Sequence, residues 1–203
     1  GATGIAQQSL SWSQVSNGTP GARRDHAMTF DSQLGRTVLF GGAGIGGVFL
    51  GDTWQWDGVT WQQAQVPGPS ARVDHAMAYD SARGRTVLYG GRWSANGTAY
   101  TYYNDTWEWD GSSWLLAAST GAVELAWHAM TFDSFRNRCV VFGGASATGW
   151  HGETWEWDGA NWLQVATGGP QRRVDHAMAF DSLRRRTVLF GGAYLWLSYD
   201  QTW

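Results

Sequence analysis

The segment Asp25-His26-Ala27-Met28 decides the fold, because it returns as Asp74-His75-Ala76-Met77, as His128-Ala129-Met130 and as Asp175-His176-Ala177-Met178. The histidines are separated by 49, 53 and 48 residues. Fifteen residues after each histidine a glycine pair begins: Gly41-Gly42, Gly90-Gly91, Gly143-Gly144 and Gly191-Gly192. A Thr-Trp pair follows at Thr53-Trp54, Thr106-Trp107, Thr154-Trp155 and Thr202-Trp203. In the first three copies a Trp-Asp-Gly-x-x-Trp turn comes next, ending at Trp61, Trp114 and Trp162. A fixed period of this length marks one supersecondary unit used four times.

Each copy reads as four short strands. His26 to Phe30 and Thr37 to Phe40 are β-favouring runs joined by the turn formers of Asp31-Ser32-Gln33-Leu34-Gly35. Thr53 to Trp56 alternates polar and aromatic residues, as a strand with two distinct faces does. Asp57-Gly58 makes a tight hairpin into a last strand at Trp61. No segment carries a 3.6-residue apolar period of helical length, so almost no helix is expected. A four-stranded meander cannot bury both of its faces alone, and radial stacking of the copies solves this. The fold class is therefore all-β, a β-propeller of four four-stranded blades in one domain over residues 1–203. The repeats run approximately 22–69, 70–120, 121–170 and 171–203, the last completed by 8–16. Trp12 stands 49 residues before Trp61, so Leu10-Ser11-Trp12-Ser13-Gln14 has the character of the outer strand that the fourth copy lacks. The N-terminal strand is accordingly expected to close the last blade.

These residues resemble the kelch repeat family, including its bacterial branch, in the glycine pair after the second strand, the third-strand Trp, and the Arg and His that open each copy. The resemblance covers nearly all of the chain. It implies a ring in which the loop face commonly serves protein recognition. Kelch rings more often have six or seven blades, which leaves three arrangements open: a small four-bladed ring, a ring assembled from several chains, and part of a longer protein.

Composition removes other classes. The chain has 203 residues, with 15 Trp, 28 Gly, no Lys, and 14 Arg against 17 acidic residues. A formal net charge of -3 gives no field to attract nucleic acid or an anionic membrane. No stretch approaches the roughly 20 apolar residues of a membrane span. The single Cys139 makes no internal disulfide and stands where the other copies have Thr37, Thr86 and Thr187, so it reads as a strand residue rather than a nucleophile. An unpaired cysteine argues against secretion. The aromatic-rich, Lys-free composition argues for export, so the reading is a secreted or extracellular protein, otherwise a soluble one.

What recurs in every copy serves the blade, and what differs between copies serves an asymmetric function. Trp54, Trp107 and Trp155 are expected between blades, and Trp61, Trp114 and Trp162 at the outer edges, each burying about 150–250 Å². His26, His75, His128 and His176 are expected to bond backbone groups of the next blade, with a metal in the channel as the rival reading. No metal motif is spaced among them and no cofactor is implied. An Arg–Asp brace is expected at Arg23/Asp25, Arg72/Asp74 and Arg173/Asp175, which copy three replaces with Leu125 and Trp127. The connection between strands two and three varies most, and it shares its face with the blade linkers. The candidate ligand-binding residues are therefore Trp93, Tyr102, Tyr103, Trp127, Trp150, His151, Tyr194 and Trp196, with Arg23, Arg72 and Arg173.

Clustered exposed aromatics mark interaction sites. The expected function is a non-catalytic binding module recognising a protein, peptide or glycan through this face. The alternative is a structural propeller whose chains associate as a homo-oligomer. No Ser–His–Asp set, phosphate loop or catalytic carboxylate pair stands out. The Tyr, Cys and His set of kelch-like copper oxidases is absent. The Trp-Asp-Gly-x-x-Trp turn has only a partial likeness to the sialidase Asp-box, since the leading Ser is missing. An enzyme is not expected.

Overall fold

The computed structural model describes residues 13–15 and 19–203. Blade 1 is β1 (Ala27–Asp31), β2 (Arg36–Ala43), β3 (Phe49–Trp56) and β4 (Trp61–Ala64), paired antiparallel in that order. Blade 2 has β5 (Ala76–Asp80) and β6 (Arg85–Tyr89), a small hairpin of β7 (Arg92–Trp93) and β8 (Thr101–Tyr102), then β9 (Thr106–Trp109) and β10 (Trp114–Ala118). Blade 3 repeats this with β11 (Ala129–Asp133), β12 (Arg138–Phe142), the hairpin β13 (Ala145–Ser146) and β14 (Gly149–Trp150), β15 (Thr154–Trp157) and β16 (Trp162–Ala166). Blade 4 has β17 (Ala177–Asp181), β18 (Arg186–Phe190) and the hairpin β19 (Ala193–Tyr194) and β20 (Leu197–Ser198). Its third-strand position is taken by Trp203, whose backbone exchanges two hydrogen bonds with Leu189. The one short helical turn among the described residues is a 3-10 turn at Ile45–Gly47. No helix among them is long and apolar enough to cross a membrane. The expected closure of the last blade by residues 8–16 lies outside the described residues.

Local chemistry repeats with the blades. Asp31 Oδ1 accepts the N–H groups of Gln33 and Leu34, and Asp80, Asp133 and Asp181 do the same in their turns. The short Asp side chain mimics a backbone turn and so sets each first hairpin. Asp57, Asp110 and Asp158 accept two backbone N–H groups each in the outer hairpins, followed by a glycine at φ 99°.

The core lies between blades. Val38 and Phe40 of blade 1 pack with Met77, Leu88, Trp109 and Trp114 of blade 2. Ala76, Ala78, Val87 and Tyr89 pack with Leu125, Met130, Cys139, Val141 and Trp157 of blade 3. The most deeply buried tryptophans are Trp109 and Trp157, the second of each third-strand pair. Trp114 and Trp162 do not close outer edges as expected. They reach across the junction and donate from Nε1 to Thr53 and Thr106 of the preceding blade, both at 2.8 Å.

The innermost strands turn around one axis. β1 packs beside β5, β5 beside β11 and β11 beside β17, whereas no comparable packing joins β17 to β1 among the described residues. All four innermost strands line a common channel of about 480 Å³, with Phe30, Tyr79, Phe132 and Phe180 among the lining residues.

Arginines brace blades 1, 2 and 4 from within. Arg72 is fully buried and holds both Asp105 carboxylate oxygens, at 2.6 and 2.9 Å, and the Gly90 carbonyl at 2.8 Å. Arg72→Leu leaves Asp105 without its cation and is expected to cost about 3 kcal/mol in chemical denaturation. A loss below about 1 kcal/mol in that experiment would show the brace to be dispensable.

Candidate functional site

The connections between second and third strands and the blade linkers share one face of the propeller. On that face the three arginines are internal. Arg23 Nη1 and Nη2 bond Asp52 at 2.7 and 3.0 Å, and Nη1 also bonds the Gly41 carbonyl. Arg173 bonds the Gly191 carbonyl at 2.7 Å and Gln201 Oε1 at 3.2 Å. The brace thus joins each Arg to the residue before its own Thr-Trp pair, and the expected pairing with Asp25, Asp74 and Asp175 is not made. Burial works to raise the pKa of Asp52 and Asp105, but the arginine hydrogen bonds override it and hold both carboxyls below the usual range. Tyr103 and Tyr199 stack on Arg72 and Arg173 at 4.2 and 4.3 Å. With their donors committed inside the blade, Arg23, Arg72 and Arg173 shape the face rather than offer it charge.

Copy three breaks the brace, and a cleft opens there. Leu125 takes the arginine position and is buried, so the equivalent carboxylate, Glu153, pairs with no arginine among the described residues. Its Oε2 lies 3.2 Å from His151 Nδ1 and accepts the Gly152 N–H. His151 Nε2 lies 2.9 Å from Ser146 Oγ. Trp150 meets Tyr194 edge to face with centroids 5.3 Å apart. These residues, with Gln171, Arg172, Tyr199 and the backbone of Thr167 to Pro170, line a cleft of about 510 Å³ between blades 3 and 4. Tyr199 Oη bonds Gln171 Oε1 at 2.9 Å, which fixes one polar wall. Three of the expected residues, Trp150, His151 and Tyr194, are brought together here. Tyr199 belongs with Tyr194 and Trp196 to the aromatics of the variable connection in copy four, whereas Glu153, Gln171 and Arg172 were not singled out from the sequence.

A second cluster lies at the axis. Asp25, Asp74, Trp127 and Asp175 all take positive φ, between 55 and 59°, and successive N–H groups donate along the series to Asp25, Asp74 and Trp127 carbonyls. Aspartate adopts this conformation readily, whereas a tryptophan is held in it against steric cost. Arg92 supplies the holding contact. Its guanidinium lies 4.0 Å from the Trp127 ring centroid and 3.9 Å from that of Tyr100, and its Nε bonds Asp74 at 2.8 Å. Burial raises Asp74 to about 6 despite that partner. Tyr102 approaches Trp127 with centroids 6.4 Å apart. Trp93 lines a separate cleft with Tyr100 and Asn96 between blades 1 and 2. Trp196 stands alone on its hairpin, 97% exposed.

Three of the four histidines are junction residues. The rings of His75, His128 and His176 meet Phe40, Tyr89 and Phe142 of the preceding blade, not the next one, each at 5.6 Å. No three His, Cys, Asp or Glu side chains among the described residues come together as a metal site. Cys139 is buried in β12, and burial pushes its thiol pKa well up.

No protein-family model matches the chain, and none of the curated proteins does. Among solved structures, the one described as "Structure of YjhT" is similar, with a TM-score of 0.73 and 16% sequence identity. The match covers 90% of this chain and 63% of that one, so the chain spans less than two thirds of that structure. This likeness shows the β-propeller fold.

Proposed function

We propose that this propeller is a non-catalytic binding module that takes a glycan in the cleft between blades 3 and 4. The reading rests on one observation: the copy that loses its arginine brace is the copy that turns a carboxylate, Glu153, into a cleft walled by Trp150 and Tyr194. A pyranose offers an apolar face to an aromatic wall and hydroxyls to carboxylate, amide and guanidinium groups. Trp150, Glu153, Gln171 and Arg172 supply that set. The recurring histidine, glycine pair and tryptophan support a kelch type of repeat, and a glycan-binding ring of this composition suits an exported protein.

The test is a glycan array with the purified chain, followed by titration calorimetry on any sugar that binds. Trp150→Ala removes an aromatic contact of about 1 kcal/mol or more, so affinity is expected to fall roughly tenfold. Glu153→Gln is expected to weaken binding similarly. Leu183→Ser, on the opposite face, leaves it unchanged. Binding that survives Trp150→Ala at full strength would remove the cleft from the reading.

A protein or peptide partner is the second reading, favoured by the 97% exposure of Trp196. Large solvated aromatics are typical anchors of protein interfaces. Array silence together with a partner lost on Trp196→Ala would select it.

A further inference from the structure

Blades 1, 2 and 4 each hold a guanidinium in the same cradle. In blade 2, Arg72 Nη1 and Nη2 donate to the two Asp105 oxygens at 2.6 and 2.9 Å, and Tyr103 stacks on the guanidinium at 4.2 Å. In blade 1, Arg23 meets both Asp52 oxygens in the same way. Each aspartate has a further donor in the next tryptophan: Trp54 Nε1 lies 2.6 Å from Asp52, and Trp107 Nε1 lies 2.7 Å from Asp105. The cradle is thus built from a carboxylate just before the Thr-Trp pair, the tryptophan of that pair and, in blades 2 and 4, a tyrosine three residues before its threonine.

Blade 3 keeps the acceptor half of this cradle and lacks the cation. Glu153 stands in the carboxylate position, Trp155 in the tryptophan position and His151 in the position of Tyr103 and Tyr199. Leu125 fills the place of the arginine and is 1% exposed, so the blade linker brings no charge there. Glu153 has also left the tryptophan. The Trp155 indole N–H is buried without a hydrogen-bond partner, whereas those of Trp54 and Trp107 donate to their aspartates. The Glu153 carboxylate, one methylene longer than an aspartate, meets His151 and the Gly152 N–H instead, at 3.2 Å each, on the wall of the cleft. The cleft's one arginine, Arg172, lies toward blade 4, with its guanidinium 5.8 Å from the Tyr194 ring centroid.

We propose that the glycan taken by this cleft carries a free amino group, whose ammonium replaces at Glu153 the guanidinium that the other blades supply from within. This inference rests on the glycan reading and narrows it to amino sugars. A hydrogen bond between two charged groups is roughly twice as strong as one between neutral groups, so the carboxylate favours an ammonium over a hydroxyl at the same ring position. The ring faces of Trp150 and Tyr194 favour a cation in the same way. N-acetylation removes the charge and adds bulk at that point, and a sugar carboxylate would meet Glu153 with like charge.

The test is titration calorimetry of the 203-residue chain with oligosaccharides of glucosamine and of galactosamine, each beside its N-acetylated counterpart of the same length. At least one free amino oligosaccharide is expected to bind roughly tenfold tighter than its counterpart. Glu153→Gln keeps the size of the side chain and removes its charge. It is expected to melt with the parent and to abolish the preference. Leu125→Arg rebuilds the brace inside blade 3, at a position where Arg72 and Arg173 are fully buried. Its guanidinium then occupies Glu153, and the preference is again expected to disappear. Amino and acetylated sugars that bind equally, or a preference that survives Glu153→Gln, would overturn the assignment and leave the glycan cleft standing. Silence toward every sugar, on the array and in the calorimeter, would remove the glycan reading and this inference with it.

Discussion

Gly90→Ala is expected to unfold this protein at temperatures where Gly191→Ala leaves it intact, although the two glycines occupy the same position of the repeat. Their φ values are 66 and 72°, so the left-handed penalty for alanine is common to both, roughly 1–2 kcal/mol. The difference lies in what the new methyl group meets. At Gly90 it would stand 2.5 Å from the Leu125 carbonyl oxygen and 2.9 Å from His128 Cε1. The first is backbone and cannot rotate away, so the blade 2–3 junction has to separate. That separation exposes the Tyr89–His128 contact and lengthens the Gly91–Leu125 hydrogen bond. The loss is expected to be several kcal/mol, a large share of the roughly 5–15 kcal/mol that holds a domain folded. At about 2–4 °C per kcal/mol for a chain of this size, Gly191→Ala lowers the melting temperature by about 3–6 °C and Gly90→Ala by more than about 10 °C. The comparison is made in dilute solution, so that only the chain's own contacts count. Equal shifts would mean that the junction is not what the glycine serves.

The same pair of positions shows what the sequence made legible and what it hid. Repetition at near-50-residue spacing exposes the blades, because every copy needs the same turn chemistry at Asp31, Asp80, Asp133 and Asp181. The glycine pair is visible as a recurrence, but its purpose depends on a carbonyl 29 to 35 residues downstream in the next blade. The brace was hidden for the same reason. Arg72 and Asp105 are 33 positions apart and meet through the fold, while the adjacent Asp74 looks like the partner and turns instead to Arg92. That misassignment concealed Glu153. Once the brace is known to join these two positions, the loss of arginine at Leu125 identifies the carboxylate it leaves behind. The aromatic residues of the variable connections were readable as a group, since they break the repeat. Their sorting into the Trp150–Tyr194 cleft, the Trp127 cluster and the solitary Trp196 depends on loop paths that no local pattern encodes.

The junction histidines make the fold sensitive to acid in a window where most folded proteins are still stable. Burial lowers all three pKa values. His75 is held well below its usual 6.5, with the Arg72 cation adding to the effect. His128 falls to about 3 and His176 to about 4. The folded state therefore refuses protons that the unfolded chain accepts once the pH drops through about 6.5. Stability is full above that value and declines as the pH falls, until the folded pKa of each group is reached. At pH 5 each histidine is expected to have withdrawn roughly 2 kcal/mol. Asp74 works in the opposite direction. Its folded pKa is raised to about 6, so it takes up a proton in the folded state first and returns about 1 kcal/mol at pH 5. The net loss between pH 7 and pH 5 is on the order of 5 kcal/mol, or a melting temperature lower by roughly 10–20 °C. The braced carboxylates Asp52 and Asp105 have lowered pKa values and contribute only at more acidic pH. His128→Gln keeps a polar side chain at the junction but cannot titrate, so its melting temperature is expected to fall by roughly 40% less between the two pH values, whatever its stability at pH 7. A parent protein that melts at the same temperature at pH 5 and pH 7 would show that the junction rings accept protons in place without cost.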